Sequence, residues 1–198
     1  MSEALVVIDV QNDFCPGGAL AVAEGDSIVP GINALMGEFK TVILTQDWHP
    51  AGHSSFASAY PGKAPFETIE MPYGAQVLWP DHCVQGTHGA QFHAALDTTR
   101  AAAIIRKGMN PLIDSYSAFF ENDHQTPTGL HGYLQTRGTR RLTMVGLATD
   151  FCVSFSALDA ARLGYEVRVR RDLCRAIDLD GSLSAALGEM RAAGVQVS

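Results

Sequence analysis

Six short apolar segments, separated by helical patterns, constrain the fold of this chain more than any other feature. The first four are continuous runs rich in Val, Ile and Leu, without the polar alternation of a half-exposed strand. Continuous runs of this length are typical of strands that are buried on both faces of a parallel sheet. The six predicted strands span residues 4–9, 41–46, 102–106, 142–147, 166–170 and 195–197.

Patterns with a helical period lie between these segments. They predict helices over residues 26–39, 91–96, 151–163 and 183–193, of which the second is the weakest. Gly164 and Gly194 follow the last two patterns and are typical helix stops. Alternating strands and helices predict an α/β fold, here a three-layer, doubly wound domain. Its sheet is expected to be mostly parallel, with about six strands.

Composition and charge exclude several classes of protein. The chain has 198 residues, of which 46% are hydrophobic and 18% charged, so one domain with a substantial core is expected over residues 1–198. A net charge of −7 argues against a sequence-independent nucleic-acid binder, which needs a basic face. No apolar run is long enough to span a membrane, so no membrane association is expected.

The N-terminus and the cysteines indicate a cytoplasmic protein with free thiols. The first residues lack the basic region of a signal peptide. The four cysteines are widely scattered and form no CxxC motif. A disulfide scaffold is therefore not expected, and the thiols are available for chemistry.

Chemically active residues follow four of the predicted strands. Asp9, Asp47 and Lys107 stand at or just after strand ends, and the turn from Ala148 to Cys152 follows a fourth strand. Ligands bind beyond the carboxyl ends of parallel strands, so these residues are expected on one edge of the sheet. Each residue taken alone is more often structural, because Asp commonly caps a turn and a lone Cys is commonly a core residue.

Cys152 is a stronger candidate because it opens a predicted helix. The positive end of a helix favours a thiolate, and free backbone N–H groups of a first turn can hold an oxyanion. A Cys beside a Lys and an Asp predicts an activated nucleophile with its own base.

Histidines indicate a metal site in the Pro-rich part of the chain. Five of the seven lie between positions 49 and 93, and Asp47, His49 and His53 form a D-x-H-x3-H run. A carboxylate with two or three imidazoles suits Zn²⁺, Mn²⁺ or Fe²⁺. On spacing alone, ordinary surface histidines that bind no metal are as good an interpretation as a metal site. Residues 48–80 have little periodicity, five of the nine prolines and both tryptophans, which favours an ordered, functional loop.

Six motifs along most of the chain resemble the nicotinamidases of the isochorismatase-like cysteine hydrolase family. The combination of DWHP with WPDHC is the most specific to the metal-bearing nicotinamidases, and all six occur in the expected order. The motifs are VVIDVQNDFCPGGAL (6–20), TQDWHPAGHSSFAS (45–58), WPDHCVQGTHGAQFH (79–93), RKG (106–108), DSYSAF (114–119) and VGLATDFCV (145–153).

The resemblance implies roles for the matching residues and an isochorismatase-like fold with a metal-binding loop insertion around residues 47–93. It also implies a cis peptide bond between Leu147 and Ala148, and it leaves open whether His53 contacts the metal. The implied catalytic triad is Asp9, Lys107 and Cys152. The implied oxyanion donors are the N–H groups of Ala148 and Cys152. The implied metal ligands are Asp47, His49 and His82, and the implied substrate-binding residues are Phe14, Trp79 and Tyr116.

The function implied by the resemblance is hydrolysis of nicotinamide to nicotinate and ammonia through a Cys thioester, in NAD salvage, with pyrazinamide as a further substrate. The expected cofactor is one divalent ion, Zn²⁺ ahead of Fe²⁺ or Mn²⁺, which anchors the substrate rather than making the nucleophile. A homo-oligomer is left open. Two alternatives remain: another hydrolase of the superfamily acting on a carbamoyl, ureido or isochorismate substrate, and a non-enzymatic metal-binding scaffold with an inert thiol.

Overall fold

The structure, a computed structural model, describes residues 2–198 and has a central sheet, a small hairpin and four α-helices in that range. The strands of the central sheet are β1 (Ser2–Ile8), β2 (Val42–Asp47), β5 (Ala103–Lys107), β6 (Thr139–Leu147), β7 (Glu166–Arg175) and β8 (Gln196–Val197). The hairpin is formed by β3 (Thr68–Met71) and β4 (Gly74–Val77). The helices are α1 (Val29–Met36), α2 (Leu130–Thr136), α3 (Ser154–Arg162) and α4 (Ser182–Ala192).

The central sheet is parallel throughout, with strand order β5-β2-β1-β6-β7-β8. The chain first builds outward from β1 to β2 and β5, and then crosses to the other side of β1 to add β6, β7 and β8. The point where the order reverses, between β1 and β6, is the position where doubly wound folds bind ligands. Asp9 follows β1 and the turn with Cys152 follows β6, so both lie at this switch point.

Apolar side chains pack on both faces of the sheet, which gives three layers. On one face, Leu5 and Val7 of β1 pack with α1 and with side chains of the long loops. On the other face, Val6 and Ile8 pack with α2, α3 and α4. Successive residues of β1 point to opposite faces, so a strand covered on both sides must be apolar throughout.

The structure confirms the six predicted strands and the three-layer, doubly wound architecture. Within residues 2–198, no helix has the length and apolar character needed to cross a membrane. One expectation about burial is wrong, because the segment 102–106 forms the edge strand β5 rather than a strand buried on both faces. Ile104 on that strand is 49% exposed.

Local differences from the predictions have identifiable causes. The helix predicted over 91–96 is absent, because the backbone there pairs with the loop after β1: Asn12 N–H donates to the Gln91 carbonyl at 3.0 Å, and His93 N–H donates to the Val10 carbonyl at 2.9 Å. Helix α2 and the β3–β4 hairpin were not predicted. Cys152 lies in a wide π-type turn, Thr149–Val153, and α3 begins only at Ser154.

Candidate active site

Four strand ends bring the candidate catalytic residues together. Asp47 and Lys107 are register partners on β2 and β5, so their side chains lie side by side. Asp9 is held at the end of β1 by Thr45, whose hydroxyl donates to the carboxylate at 2.6 Å. Asp9 and Lys107 are at most 2% exposed, and Cys152 is 6% exposed.

The ammonium group of Lys107 joins these residues into one cluster. Its Nζ lies 2.9 Å from Asp9 Oδ2 and 3.4 Å from Cys152 Sγ. It also donates to the Ser115 carbonyl at 2.8 Å and forms a short ion pair with Asp47 Oδ1. The structure thus brings together the three residues of the predicted triad, and it adds a contact to Asp47 that the sequence did not indicate.

Burial and neighbouring charges determine the protonation states of the cluster. Burial raises the pKa of the Cys152 thiol well above its usual value, Lys107 opposes this rise, and the Asp9 and Asp47 carboxylates add to it. Burial also raises the pKa of Asp9, against the lowering effect of Lys107. Burial lowers the pKa of Lys107, but Asp47 and Asp9 outweigh it, so the pKa lies well above its usual value.

These shifts bear on one expectation about the nucleophile. Cys152 lies in the π-type turn that leads into α3, and its burial raises the thiol pKa, which opposes the thiolate form that a helix start favours. The thiol therefore needs a base within reach. One carboxylate oxygen of Asp9 lies with Cys152 Sγ in a group of atoms within 4.8 Å of one another, so Asp9 can act as that base.

A second cluster beside the first has the composition of a metal site. The ligand atoms of Asp47, His49 and His82 lie within 4.8 Å of one another, and all three residues are buried. Asp47 Oδ2 is 3.5 Å from Nε2 of His49 and 3.7 Å from Nε2 of His82. Asp47 thus faces Lys107 with one oxygen and the two imidazoles with the other.

The hydrogen bonds of the two imidazoles show that these residues fit a divalent ion. Nδ1 of His49 faces the Gly108 carbonyl at 3.0 Å, and Nδ1 of His82 faces the Pro80 carbonyl at 2.8 Å. A carbonyl only accepts, so each Nδ1 carries the proton and each Nε2 keeps a lone pair turned toward Asp47. Nε2 of His49 is buried without a hydrogen-bond partner, as a metal-ligating nitrogen is before the ion binds.

His53 has a ligand atom within 4.8 Å of ligand atoms of His49 and Asp114, but both of its ring nitrogens already form hydrogen bonds. Its Nε2 donates to the Asn110 carbonyl at 2.7 Å, and its Nδ1 accepts from the Ser55 backbone N–H at 3.1 Å. Both ring nitrogens are therefore engaged, and the ring packs against His49 with centroids 4.5 Å apart. His53 supports His49 by packing.

An aromatic pocket leads to Cys152. Its lining includes the three predicted substrate-binding residues Phe14, Trp79 and Tyr116, together with Asp47, His82, Ala148 and Cys152. Trp79 and Tyr116 pack edge to face against Phe151, with centroids 4.9 and 5.6 Å away. Their flat walls suit an aromatic ring. The peptide bond between Leu147 and Ala148 is cis, as the resemblance implies.

Several residues that shape the site were not predicted from the sequence. The buried amide of Gln11 donates to the Asp47 carbonyl and accepts from its N–H, both at 2.8 Å, which fixes the backbone of a predicted ligand. Asp13 accepts from the Cys83 N–H at 2.7 Å and so anchors the residue after His82. The buried Gln76 of the hairpin donates to the Tyr116 hydroxyl at 3.0 Å. Gln11 and Asp13 stand within a quoted motif, but side-chain amides and acids in loops carry no distinctive pattern of their own.

Comparison with known proteins agrees with the fold. The family model for the isochorismatase domain matches residues 3–198. The chain therefore belongs to the isochorismatase family.

Two curated relatives that match nearly the whole chain are nicotinamidases. A nicotinamidase of Acinetobacter baylyi is 58% identical over 193 residues, which are 98% of this chain and 90% of that protein. A nicotinamidase of Escherichia coli is 48% identical over 196 residues, which are 96% of this chain and 92% of that protein.

Solved structures with the same fold include ligand complexes. An Acinetobacter baumannii nicotinamidase and pyrazinamidase superimposes with a TM-score of 0.98 at 58% identity, covering 99% of this chain and 95% of that one. PnC1 of L. infantum, solved with nicotinate, has a TM-score of 0.87 at 42% identity, with coverage of 100% and 92%. A pyrazinamidase of Pyrococcus horikoshii, solved with zinc, has a TM-score of 0.81 at 37% identity, with coverage of 100% and 99%.

Proposed function

We propose that this protein is an amidohydrolase that converts nicotinamide and water into nicotinate and ammonia through a thioester on Cys152. The observation that carries the proposal is the buried contact of Lys107 with both Asp9 and Cys152, at the wall of an aromatic pocket. Nicotinamidases that match nearly the whole chain at 58% and 48% identity support the same activity. Nicotinate produced in this way serves NAD salvage. Pyrazinamide is proposed as a second substrate, since the A. baumannii structure is named for both activities.

The first half-reaction transfers the acyl group to sulfur. The Asp9 carboxylate takes the thiol proton of Cys152, and the ammonium of Lys107 stabilises the thiolate that forms. The sulfur attacks the amide carbon and forms a C–S bond, while the carbonyl oxygen becomes an oxyanion held by the N–H groups of Ala148 and Cys152. Asp9 then passes its proton to the amide nitrogen, the C–N bond breaks, and ammonia leaves a thioester behind.

The second half-reaction returns the enzyme to its resting form. Asp9 takes a proton from water, and the resulting hydroxide attacks the thioester carbon. The C–S bond breaks, the sulfur recovers the proton from Asp9, and the carboxylic acid product loses its proton to solvent. Lys107 stays positively charged throughout, because the Asp47 and Asp9 carboxylates raise its pKa above its usual value.

Asp47, His49 and His82 are proposed to hold one divalent ion, with Zn²⁺ as the native metal. Two imidazoles and one carboxylate suit Zn²⁺ and leave coordination positions open, and the zinc complex of the P. horikoshii pyrazinamidase supports this choice over Fe²⁺ or Mn²⁺. When bound, the ion supplies a Lewis-acidic anchor for a ring nitrogen, which orients the carboxamide toward Cys152.

The domain organisation is also a proposal. Residues 1–198 are interpreted as a single hydrolase domain in which residues 47–93 form a metal-binding insertion, since the ligands Asp47 and His82 stand near the two ends of that segment. A cytoplasmic location stays a prediction. The oligomeric state stays open, and light scattering of the purified protein would determine it.

Ammonia release from a panel of amides, with metal analysis of the same sample, tests the proposed function. We expect rapid release from nicotinamide and pyrazinamide, little release from carbamoyl or ureido compounds, and about one zinc ion per chain. Faster turnover of a ureido substrate or of isochorismate would favour the other hydrolase activities of the family. No ammonia from any amide, together with a Cys152 that iodoacetamide does not alkylate, would favour the non-enzymatic scaffold.

A further inference from the structure

Asp150 is a buried acid beside the nucleophile that the proposed mechanism does not use. It lies two residues before Cys152, is 4% exposed, and belongs to neither the triad nor the metal cluster. Its carboxylate accepts three hydrogen bonds from a distant part of the chain. The donors are the Ile177 N–H at 3.1 Å, the Asp178 N–H at 2.7 Å and the Ser182 hydroxyl at 2.5 Å.

All three donors belong to the connection between β7 and α4. Residues 176–181 link the two elements, and Ser182 is the first residue of α4. Asp178 and Asp180 have left-handed backbone conformations, with φ of 55° and 50°. Residues other than glycine adopt this conformation at a cost, so contacts outside the loop must maintain its shape.

The same loop forms part of the substrate pocket. Ile177 lines the pocket together with Cys152, Leu20 and Phe14. The backbone N–H of Ile177 is one of the groups that Asp150 binds. One carboxylate therefore connects the turn that carries the nucleophile to an apolar wall of the pocket.

We propose that Asp150 is a positioning residue that holds the loop 176–181 in place, so that Ile177 forms a substrate-binding wall at a fixed distance from Cys152. Asp150 acts through Ile177 and does not touch the substrate. The inference rests on the proposed amide hydrolysis at this site, and it adds a residue that determines substrate affinity.

Replacing Asp150 with asparagine removes acceptors while keeping the size of the side chain. The amide NH₂ would face at least one of the donors now bound, and a buried N–H without an acceptor is costly. The loop should then shift and carry Ile177 with it. For Asp150→Asn we expect the KM for nicotinamide to rise about tenfold, with kcat within about threefold of wild type. Alkylation of Cys152 by iodoacetamide should not be slower than in wild type.

A double-mutant cycle separates this role from general destabilisation. Ile177→Ala should raise KM about tenfold by removing the wall itself, and Asp150→Asn in that background should add less than about twofold. Asp159→Asn is the matched control, because Asp159 is also a buried acid, on the helix α3 that follows the nucleophile, but its carboxylate has only the partner Arg162. It should lower the melting temperature without changing KM.

The inference is wrong if Asp150→Asn leaves KM unchanged. It is also wrong if the increase in KM in the double variant equals the product of the increases caused by Asp150→Asn and Ile177→Ala alone. A variant that loses kcat and Cys152 alkylation together would also overturn it, since Asp150 would then act on the nucleophile. Should Asp150→Asn fail to fold, Ile177→Ala is the decisive variant, because an unchanged KM there would show that Ile177 is not a substrate-binding wall. Wild-type protein that releases no ammonia from nicotinamide would refute the proposed function instead.

Discussion

Replacing Gly108 with alanine should abolish tight metal binding without touching a ligand atom. Gly108 has a φ of +66°, and its carbonyl accepts the Nδ1 proton of His49. A Cβ atom at this position would lie 2.4 Å from Cε1 and 2.7 Å from Nδ1 of the His49 ring. Carbon atoms in contact are about 3.5–4.0 Å apart, so the ring must retreat by roughly 1 Å.

That displacement is large compared with the tolerance of a metal site. Zinc–nitrogen distances are about 2.0–2.1 Å and vary by roughly 0.2 Å. Changing a residue that merely supports a ligand costs about 10–100-fold in metal affinity. Because Gly108→Ala also moves the proposed ligand His49 itself, we expect zinc affinity to fall at least about hundredfold.

Gly52→Ala provides a matched control for this experiment. Gly52 lies in the same loop as His49 and has a similar φ of +71°, but a Cβ there would meet nothing within 4 Å. Both variants should therefore lose about 1–2 kcal/mol of stability from the left-handed backbone. Gly108→Ala should lose more than this because of its clash with His49, and only Gly108→Ala should lose zinc. Competition with a chromophoric chelator measures the affinities, and thermal unfolding of the metal-free proteins measures the stabilities. Zinc affinities within about threefold of each other would refute the argument.

Three further predictions concern the other parts of the site. Lys107→Ala should slow alkylation of Cys152 near neutral pH, because Lys107 opposes the rise in the thiol pKa caused by burial; an unchanged pH profile of the alkylation rate would contradict this role. Metal removal by chelation should nearly abolish turnover of nicotinamide yet slow alkylation less than Lys107→Ala does, and equal slowing would make the metal part of the environment of the nucleophile. Tyr116→Phe should lower stability by about 1–3 kcal/mol, or roughly 2–12 °C in Tm, because Gln76 and Trp79 both donate to the lost hydroxyl; a Tm equal to that of wild type would show that these donors find other acceptors.

The strands and the position of the site could be predicted because both depend on local patterns in the sequence. Each buried strand is an apolar run, and in a parallel sheet the residues after such runs meet at one edge. Asp9 and Lys107 were found in this way, before any family resemblance was used. The resemblance then indicated the metal ligands and the aromatic pocket residues.

Features that depend on register or on long-range pairing were not predictable. The ion pair between Asp47 and Lys107 follows from the alignment of β2 with β5, which no local pattern determines. Helix α2 is only seven residues long and has two buried leucines, which is too short for a clear period. The segment 91–96 has a helical pattern but forms no helix, because its backbone makes hydrogen bonds to the loop after β1 instead of the local bonds of a helix.

At Cys152 the tertiary structure modifies what the local helix pattern predicts. The pattern predicts the beginning of a helix near position 151, but the chain forms a wide turn there and enters α3 at Ser154. Burial also raises the pKa of the thiol, which opposes the effect of a helix start. The base Asp9 is therefore more important than the sequence alone suggests.

A single-turnover experiment tests the covalent mechanism most directly. Protein in excess over nicotinamide is quenched with acid at a series of times, ammonia is measured, and the digested protein is analysed by mass spectrometry. The mechanism predicts a nicotinoyl group on the peptide that contains Cys152, appearing with the ammonia, and neither signal from Cys152→Ala. Ammonia released by Cys152→Ala at the wild-type rate would contradict it.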